Sequence, residues 1–329
     1  MKTIFKRNHT FNHIFIGFLA VIIGLARYFV LVNSEIDVIQ YHNIVYSFNI
    51  VSNLFFIETI ICISLLIVLS AYLNAFNSKH SIVEGAFQLP GMIFIALTGV
   101  FIMDPDIVPV LTASCLIMVS LDRLFPVYRK PNALSNCFDA GFWPGLALFI
   151  YPDSLILFPL IIIVLLYIKP FQLREVILML LGLALPLIIM LSVFYLTDEW
   201  ELLRENYFGN RLLQFTMAKY NTANIVFASG VLILGVIALM YYLLAANFKK
   251  IVVRRYLAIT AFFLIISGVE SMTPVTGFAF FLFYLIPLSY MLSNMVVNSK
   301  SRFLNAIIPL LIIFILGSYH YLYFSGFII

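Results

Sequence analysis

Long apolar runs broken by short polar tips fill the chain from one end to the other. The clearest stretch is Phe138 to Pro186, FDAGFWPGLALFIYPDSLILFPLIIIVLLYIKPFQLREVILMLLGLALP. One run closes at Tyr151-Pro152-Asp153-Ser154, the next at Lys169-Pro170-Phe171-Gln172-Leu173-Arg174-Glu175, and a third starts at once. Three apolar segments joined by one acidic and one basic tip describe a chain crossing a bilayer back and forth. Only helices satisfy their own backbone polar groups along such a path. Taking runs of about 17–25 apolar residues as spans predicts helices near 13–32, 51–74, 87–103, 107–124, 134–151, 154–168, 176–196, 223–247, 256–271, 275–296 and 304–324. The expected fold is all-α: a polytopic transmembrane bundle of about eleven helices, one integral-membrane domain over residues 1–329. The third and sixth segments are short, which predicts a different tilt or a re-entrant course.

Composition removes the soluble alternative. The chain is 63% hydrophobic and 10% charged, with mean hydropathy +1.07, whereas soluble domains carry about 25% charged residues. The apolar run after the basic start Met1-Lys2-Thr3-Ile4-Phe5-Lys6-Arg7 is longer than a signal-peptide core and has no small-residue cleavage pattern. It reads as an uncleaved first helix. Cys62, Cys115 and Cys137 lie in or beside apolar runs without a CxxC pair, and read as small buried hydrophobes. His9 and His13 stand four apart but lack a third metal ligand, and His42, His80 and His320 are isolated in sequence. No phosphate-cradling glycine loop, nucleophile elbow or basic-aromatic nucleic-acid stripe is present.

Charge gives the orientation. With the N-terminus in the cytoplasm and strict alternation, 15 of the 19 basic residues fall on the inner side, as the positive-inside rule requires. Only Arg204, Arg211 and Lys219 fall outside, and Arg27 sits within the first helix. The expectation is a bacterial inner-membrane protein with a cytoplasmic N-terminus and an external C-terminus. Most acids fall at the predicted outer ends: Glu35, Asp37, Asp104, Asp106, Asp153, Asp198, Glu199, Glu201, Glu205 and Glu270. They read either as solvated loop residues or as an outward-facing acidic site. Two outer loops, 33–50 and 197–222, mix aromatic and polar residues and predict helices lying along the interface.

Four places carry candidate chemistry. Glu35-Ile36-Asp37, just past the first helix, offers two carboxylates that can hold a divalent cation with phosphate oxygens, or one general base. Asp104-Pro105-Asp106 forms the tip between the third and fourth segments, where Asp106 is a plausible N-cap. Arg27 and Glu58 are the ionisable residues deepest in predicted spans, and such residues either pair or work. They can form an ion pair between neighbouring antiparallel helices, or Arg27 can bind a phosphate. Glu270 closes the ninth segment on the same side.

The layout resembles the GT-C class of membrane glycosyltransferases. The likeness lies in a first helix followed by an outer E-x-D, and a hairpin tipped with Asp-Pro-Asp. It continues with FDAGFWPGLALFIYPDSLILFPLIII and a late PVTGFAFFLFYLIPLS helix. It covers about the first 190 residues in layout. It implies Glu35 or Asp37 as the catalytic acid, Asp104 and Asp106 as supporting acids and Arg27 as the phosphate partner. It also implies a polyprenyl-phosphate-linked sugar as donor, met at the outer leaflet. The chain departs from the class in having no long first outer loop and no large outer C-terminal domain. The segment Lys169-Pro170-Phe171-x-x-Arg174-Glu175 with Gly182 and Pro186 is similar to a group of uncharacterised bacterial membrane proteins, which implies no activity. Beside the transferase stand a non-enzymatic scaffold or accessory subunit of an envelope complex and, less favoured, a transporter. The transporter lacks paired Gly/Pro-broken helices in two halves.

Overall fold

The computed structural model describes residues 9–33, 54–83, 88–104, 106–129, 133–198, 200, 222–245, 251–272, 278–299 and 302–324. Among them are eleven α-helices and no strand. They are α1 (His9–Asn33), α2 (Leu54–His80), α3 (Leu89–Thr98), α4 (Ile107–Leu124), α5 (Leu134–Ile150), α6 (Phe158–Ile168), α7 (Leu173–Leu196), α8 (Thr222–Ala245), α9 (Ile251–Glu270), α10 (Phe281–Asn298) and α11 (Arg302–Phe324). Each lies on one of the eleven apolar segments. The stretches Phe56–His80, Ile107–Tyr128, Leu173–Leu196, Thr222–Leu244 and Phe278–Asn298 are long and apolar enough to cross a membrane by themselves. The two short segments become mixed helices. A 3₁₀ turn, Gly99–Met103, extends α3, and another, Pro152–Leu157, leads into α6. The two loops expected to lie along the interface fall almost wholly outside the described residues.

The bundle is built around α10. Every residue from Phe281 to Met295 is buried. A helix that is apolar all round and enclosed all round is a core helix, not a lipid-facing one. α3, α4, α8, α9 and α11 pack against it. The Tyr290 hydroxyl donates to the Leu73 carbonyl on α2 at 2.7 Å, tying the centre to the second helix. One continuous core runs from Ile16 on α1 to Tyr319 on α11.

α7 is the opposite case. It buries a single stripe, Glu175, Met179, Gly182, Pro186, Met190 and Phe194, and exposes Leu181, Ile188 and Val193 on its other faces. The stripe packs on α5, and glycine makes the contact close. A Cβ on Gly141 would stand 1.9 Å from the Met179 carbonyl oxygen, and one on Gly182 would stand 2.2 Å from that of Phe138. This is small-residue packing, in which bare backbones approach because lipid offers no hydrophobic force to press larger side chains together.

Proline supplies a further cross-link. Pro144 inside α5 has no N–H to give the carbonyl of Ala140 one turn back. The Ser120 hydroxyl on α4 donates to that carbonyl instead, at 2.6 Å. A backbone acceptor freed in a membrane helix must find another donor, and here the neighbouring helix provides it. The basic tip behaves as its sequence predicts, because α6 stops at Lys169, immediately before Pro170. The Lys169 ammonium reaches the buried Glu175 carboxylate at 2.5 Å, across the tip.

Candidate functional site

Arg27, Glu58 and Asp104 come from three separate elements and meet at one end of the bundle. Arg27 lies in the last two turns of α1, and Glu58 in the second turn of α2. The antiparallel packing of these helices brings the two side chains together. Both are buried, with Arg27 1% exposed and Glu58 5% exposed. Arg27 Nη2 donates to Glu58 Oε1 in a short ion pair. Arg27 Nη1 donates to the backbone carbonyl of Asp104 at 2.8 Å. The ion pair available to these residues from sequence is therefore formed, and it reaches one step further, to the acidic tip. Tyr28 and Phe56 stand edge to face beside it, 6.4 Å between ring centroids.

The tip departs from the expected capping. Asp106 occupies the N-cap position of α4 but makes no side-chain capping bond. Asp104 Oδ1 instead accepts the Asp106 N–H at 3.0 Å. The Asp104 carbonyl accepts the Ile107 N–H at 3.4 Å as well as the Arg27 bond. The reason is conformational. Asp104 is extended (φ −80°, ψ 126°), so its side chain folds forward over the turn, whereas Asp106 (φ −84°, ψ 7°) lacks the extended backbone that capping needs. Burial, with the Asp106 charge adding to it, pushes the Asp104 carboxyl up to about 7. The Asp106 N–H and the Arg27 charge pull the other way and do not win.

This shift has a sign that can be measured. The unfolded carboxyl titrates near 3.9. Between about pH 4 and pH 7 the folded chain keeps a proton that the unfolded chain has lost. Stability should therefore fall as pH rises through that window and level off above it. Allowing for partial exposure, the loss is about 1–3 kcal/mol. Unfolding followed at pH 5, 6, 7 and 8 should show a smaller decline for Asp104→Asn than for the parent. Parallel curves would mean that Asp104 titrates normally.

Glu35 and Asp37 lie outside the described residues, so of the sequence candidates the structure brings together Arg27, Glu58, Asp104 and the adjacent Asp106. Among the described residues no group of three or more His, Cys, Asp or Glu is placed to hold a metal ion. Asp104 and Asp106 alone do not fit a divalent cation, since one Asp104 oxygen is already engaged with a backbone N–H.

A second cluster was not visible from the sequence. At the other end of α2, Lys79 Nζ reaches both oxygens of Asp122, at 2.8 and 2.7 Å, and His80 Nε2 lies 2.8 Å from Oδ1. The His80 ring sits among Phe76, Phe125 and Tyr256, with centroids 4.6, 4.9 and 5.5 Å away. His80 is isolated along the chain because its partner is 42 residues distant. The only local signal was a Lys-His pair closing a long apolar run. The arrangement clasps α2 to α4.

Residues 37–326 match a family of unknown function, DUF6427. The chain belongs to the DUF6427 family. No curated protein and no solved structure matches it. In this DUF6427 chain Glu58, Asp104 and Asp106 fall within the matched stretch, Asp37 is its first residue, and Arg27 and Glu35 precede it. The family description carries no activity, and the DUF6427 chain is an all-helical protein, among its described residues, with five stretches long and apolar enough to cross a membrane.

Proposed function

We propose that this membrane protein is a transferase of GT-C-like layout acting on a lipid-linked, phosphate-bearing sugar at the membrane face where Asp104 lies. The observation that supports the reading is the meeting of Arg27, Glu58 and the Asp104 tip. Ionisable residues are costly inside a bilayer and are kept where they pair or work, and here Arg27 holds the backbone of a tip whose Asp104 carboxyl is pushed up to about 7 by burial. A polyprenyl tail would stay in the bilayer, so the reacting phosphate must lie at this level. The acceptor hydroxyl loses its proton to a carboxylate as it attacks the sugar carbon, and the lipid phosphate departs. Glu35 or Asp37 is the proposed base, with Asp104 and Asp106 supporting. A divalent cation, if used, would offset the charge of the departing phosphate and would be held by these acids together. Arg27 is proposed as the residue that holds the tip in position, since two of its donors already serve Glu58 and Asp104.

That same engagement of Arg27 favours a second reading, a scaffold in which the cluster only joins three elements. The test is sugar transfer by purified protein in lipid nanodiscs supplied with polyprenyl-phosphate-linked sugars. Asp37→Asn, Glu35→Gln or Asp104→Asn should lower turnover by about 10²-fold or more, with membrane level unchanged and Glu201→Gln near parental. Transfer that survives all three substitutions would leave the scaffold as the better reading.

The proposed orientation, in a bacterial inner membrane, puts the N-terminus and the Lys79–Asp122 end inside and the Asp104 end outside. An alkaline-phosphatase fusion after Ile329 should be active and one after Lys250 silent. The reverse pattern would invert the proposal.

A further inference from the structure

The end of the bundle opposite Asp104 carries a charge pattern that the transferase reading does not use. The chain enters α9 through Lys249-Lys250-Ile251-Val252-Val253-Arg254-Arg255, four bases and no acid. Arg254 is exposed and Arg255 partly so, and neither ion-pairs with an acid among the described residues. The Arg255 guanidinium lies over the Tyr128 ring, 4.5 Å from its centroid, and Tyr128 is itself 38% exposed. The next residue, Tyr256, stacks on Phe125 at 4.4 Å and donates its hydroxyl to the Phe125 carbonyl, which fixes the start of α9 against the end of α4. Lys79 and Arg123, with side chains 54% and 49% exposed, project from the neighbouring ends of α2 and α4.

The acids nearby are largely spent. Asp122 is bonded by Lys79 and His80, and Asp139 lies 3.8 Å from Arg123, a loose and exposed pair. The apolar stretches Phe56–His80 and Ile107–Tyr128 both end here. The patch is therefore at headgroup depth, where exposed tyrosine is at home. A guanidinium stacked on a ring by its face keeps its N–H edge for two parallel bonds to a phosphate.

We propose that Arg254 and Arg255, the latter lying over Tyr128, hold the phosphate headgroup of an anionic phospholipid. The depth of the patch favours a lipid over a soluble anion. The proposal is independent of the transferase reading.

The test uses the full chain in nanodiscs of equal phosphatidylcholine and phosphatidylglycerol, with retained lipid read by native mass spectrometry. The parent should retain phosphatidylglycerol in preference. Arg254→Gln with Arg255→Gln should cut that preference by on the order of tenfold, given about 1 kcal/mol per basic residue at the surface. Tyr128→Leu, which keeps every charge, should give an intermediate loss. Arg174→Gln, at the start of α7, should change little. Equal melting in pure phosphatidylcholine would show the variants folded. A parent without preference, a double variant that keeps it, or an equal loss in Arg174→Gln would overturn the proposal. So would full competition by millimolar inorganic phosphate, which would make the ligand a soluble anion.

Discussion

Gly141→Leu should leave little folded protein in the membrane, and Gly182→Leu should do the same. The backbone of α7 stands 1.9 Å from where the first side-chain carbon of residue 141 would be, and the backbone of α5 stands 2.2 Å from that of residue 182. The obstructing atoms are carbonyl oxygens, so no rotamer change relieves the clash, and the helices must separate. Overpacking commonly costs about 1–3 kcal/mol, and separation would also open the stripe through Met179 and Pro186. We expect about 3 kcal/mol or more, read as a collapsed size-exclusion peak and a melting temperature too low to measure. Gly17→Leu is the control, because nothing lies within 4 Å of its missing side chain. A Gly141→Leu protein that melts like the Gly17→Leu control would mean that α5 and α7 do not pack as described.

The second large effect is expected at Arg27. Arg27→Ala leaves Glu58 charged and buried, and also removes the donor to the Asp104 carbonyl. Breaking a buried pair from one side costs about 3–5 kcal/mol. Glu58→Ala should cost a similar amount, because it strands the guanidinium. The joint replacement Arg27→Met with Glu58→Met should recover most of the loss, since two apolar side chains of similar volume leave no orphan charge. It should stay below the parent by about 0.5–1.5 kcal/mol, the net value of the one bond lost at the Asp104 carbonyl, which keeps its bond from the Ile107 N–H. A double replacement as damaging as the sum of the single ones would show that the pair is not coupled.

Much of this architecture was legible in the residues, for a physical reason. Each span needs its own continuous apolar run, so helix number and approximate limits are written locally. The pairing of Arg27 with Glu58 was legible too, because two deep charges of opposite sign on adjacent antiparallel helices have few other partners. What faces what was not legible. α10 and α7 have similar apolar letters, yet one is wholly enclosed and the other buries one stripe. Lipid and protein interior are equally apolar, so hydrophobic periodicity does not separate them. The available signal for the α5–α7 seam was the spacing of Gly141 and Gly145, with Gly182 and Pro186 to match. At the Asp104-Pro105-Asp106 tip the N-cap position was legible, since Asp106 does occupy it, but the side-chain bond was not: Asp106 makes no capping bond and Asp104 accepts the Asp106 N–H instead. The proposed catalytic pair, Glu35 and Asp37, remains a reading of the sequence.

The place of α10 in the chain sets a clock on assembly. The helix at the centre of the bundle is the tenth of the eleven described helices to be made. The bond from Tyr290 to Leu73 joins residues 217 positions apart. At about 5–20 residues per second, α2 waits roughly 10–40 s after its own synthesis for the helix that completes its inner face. During that interval the inward faces of α2, α3 and α4 must be covered by lipid, by one another or by the insertion machinery.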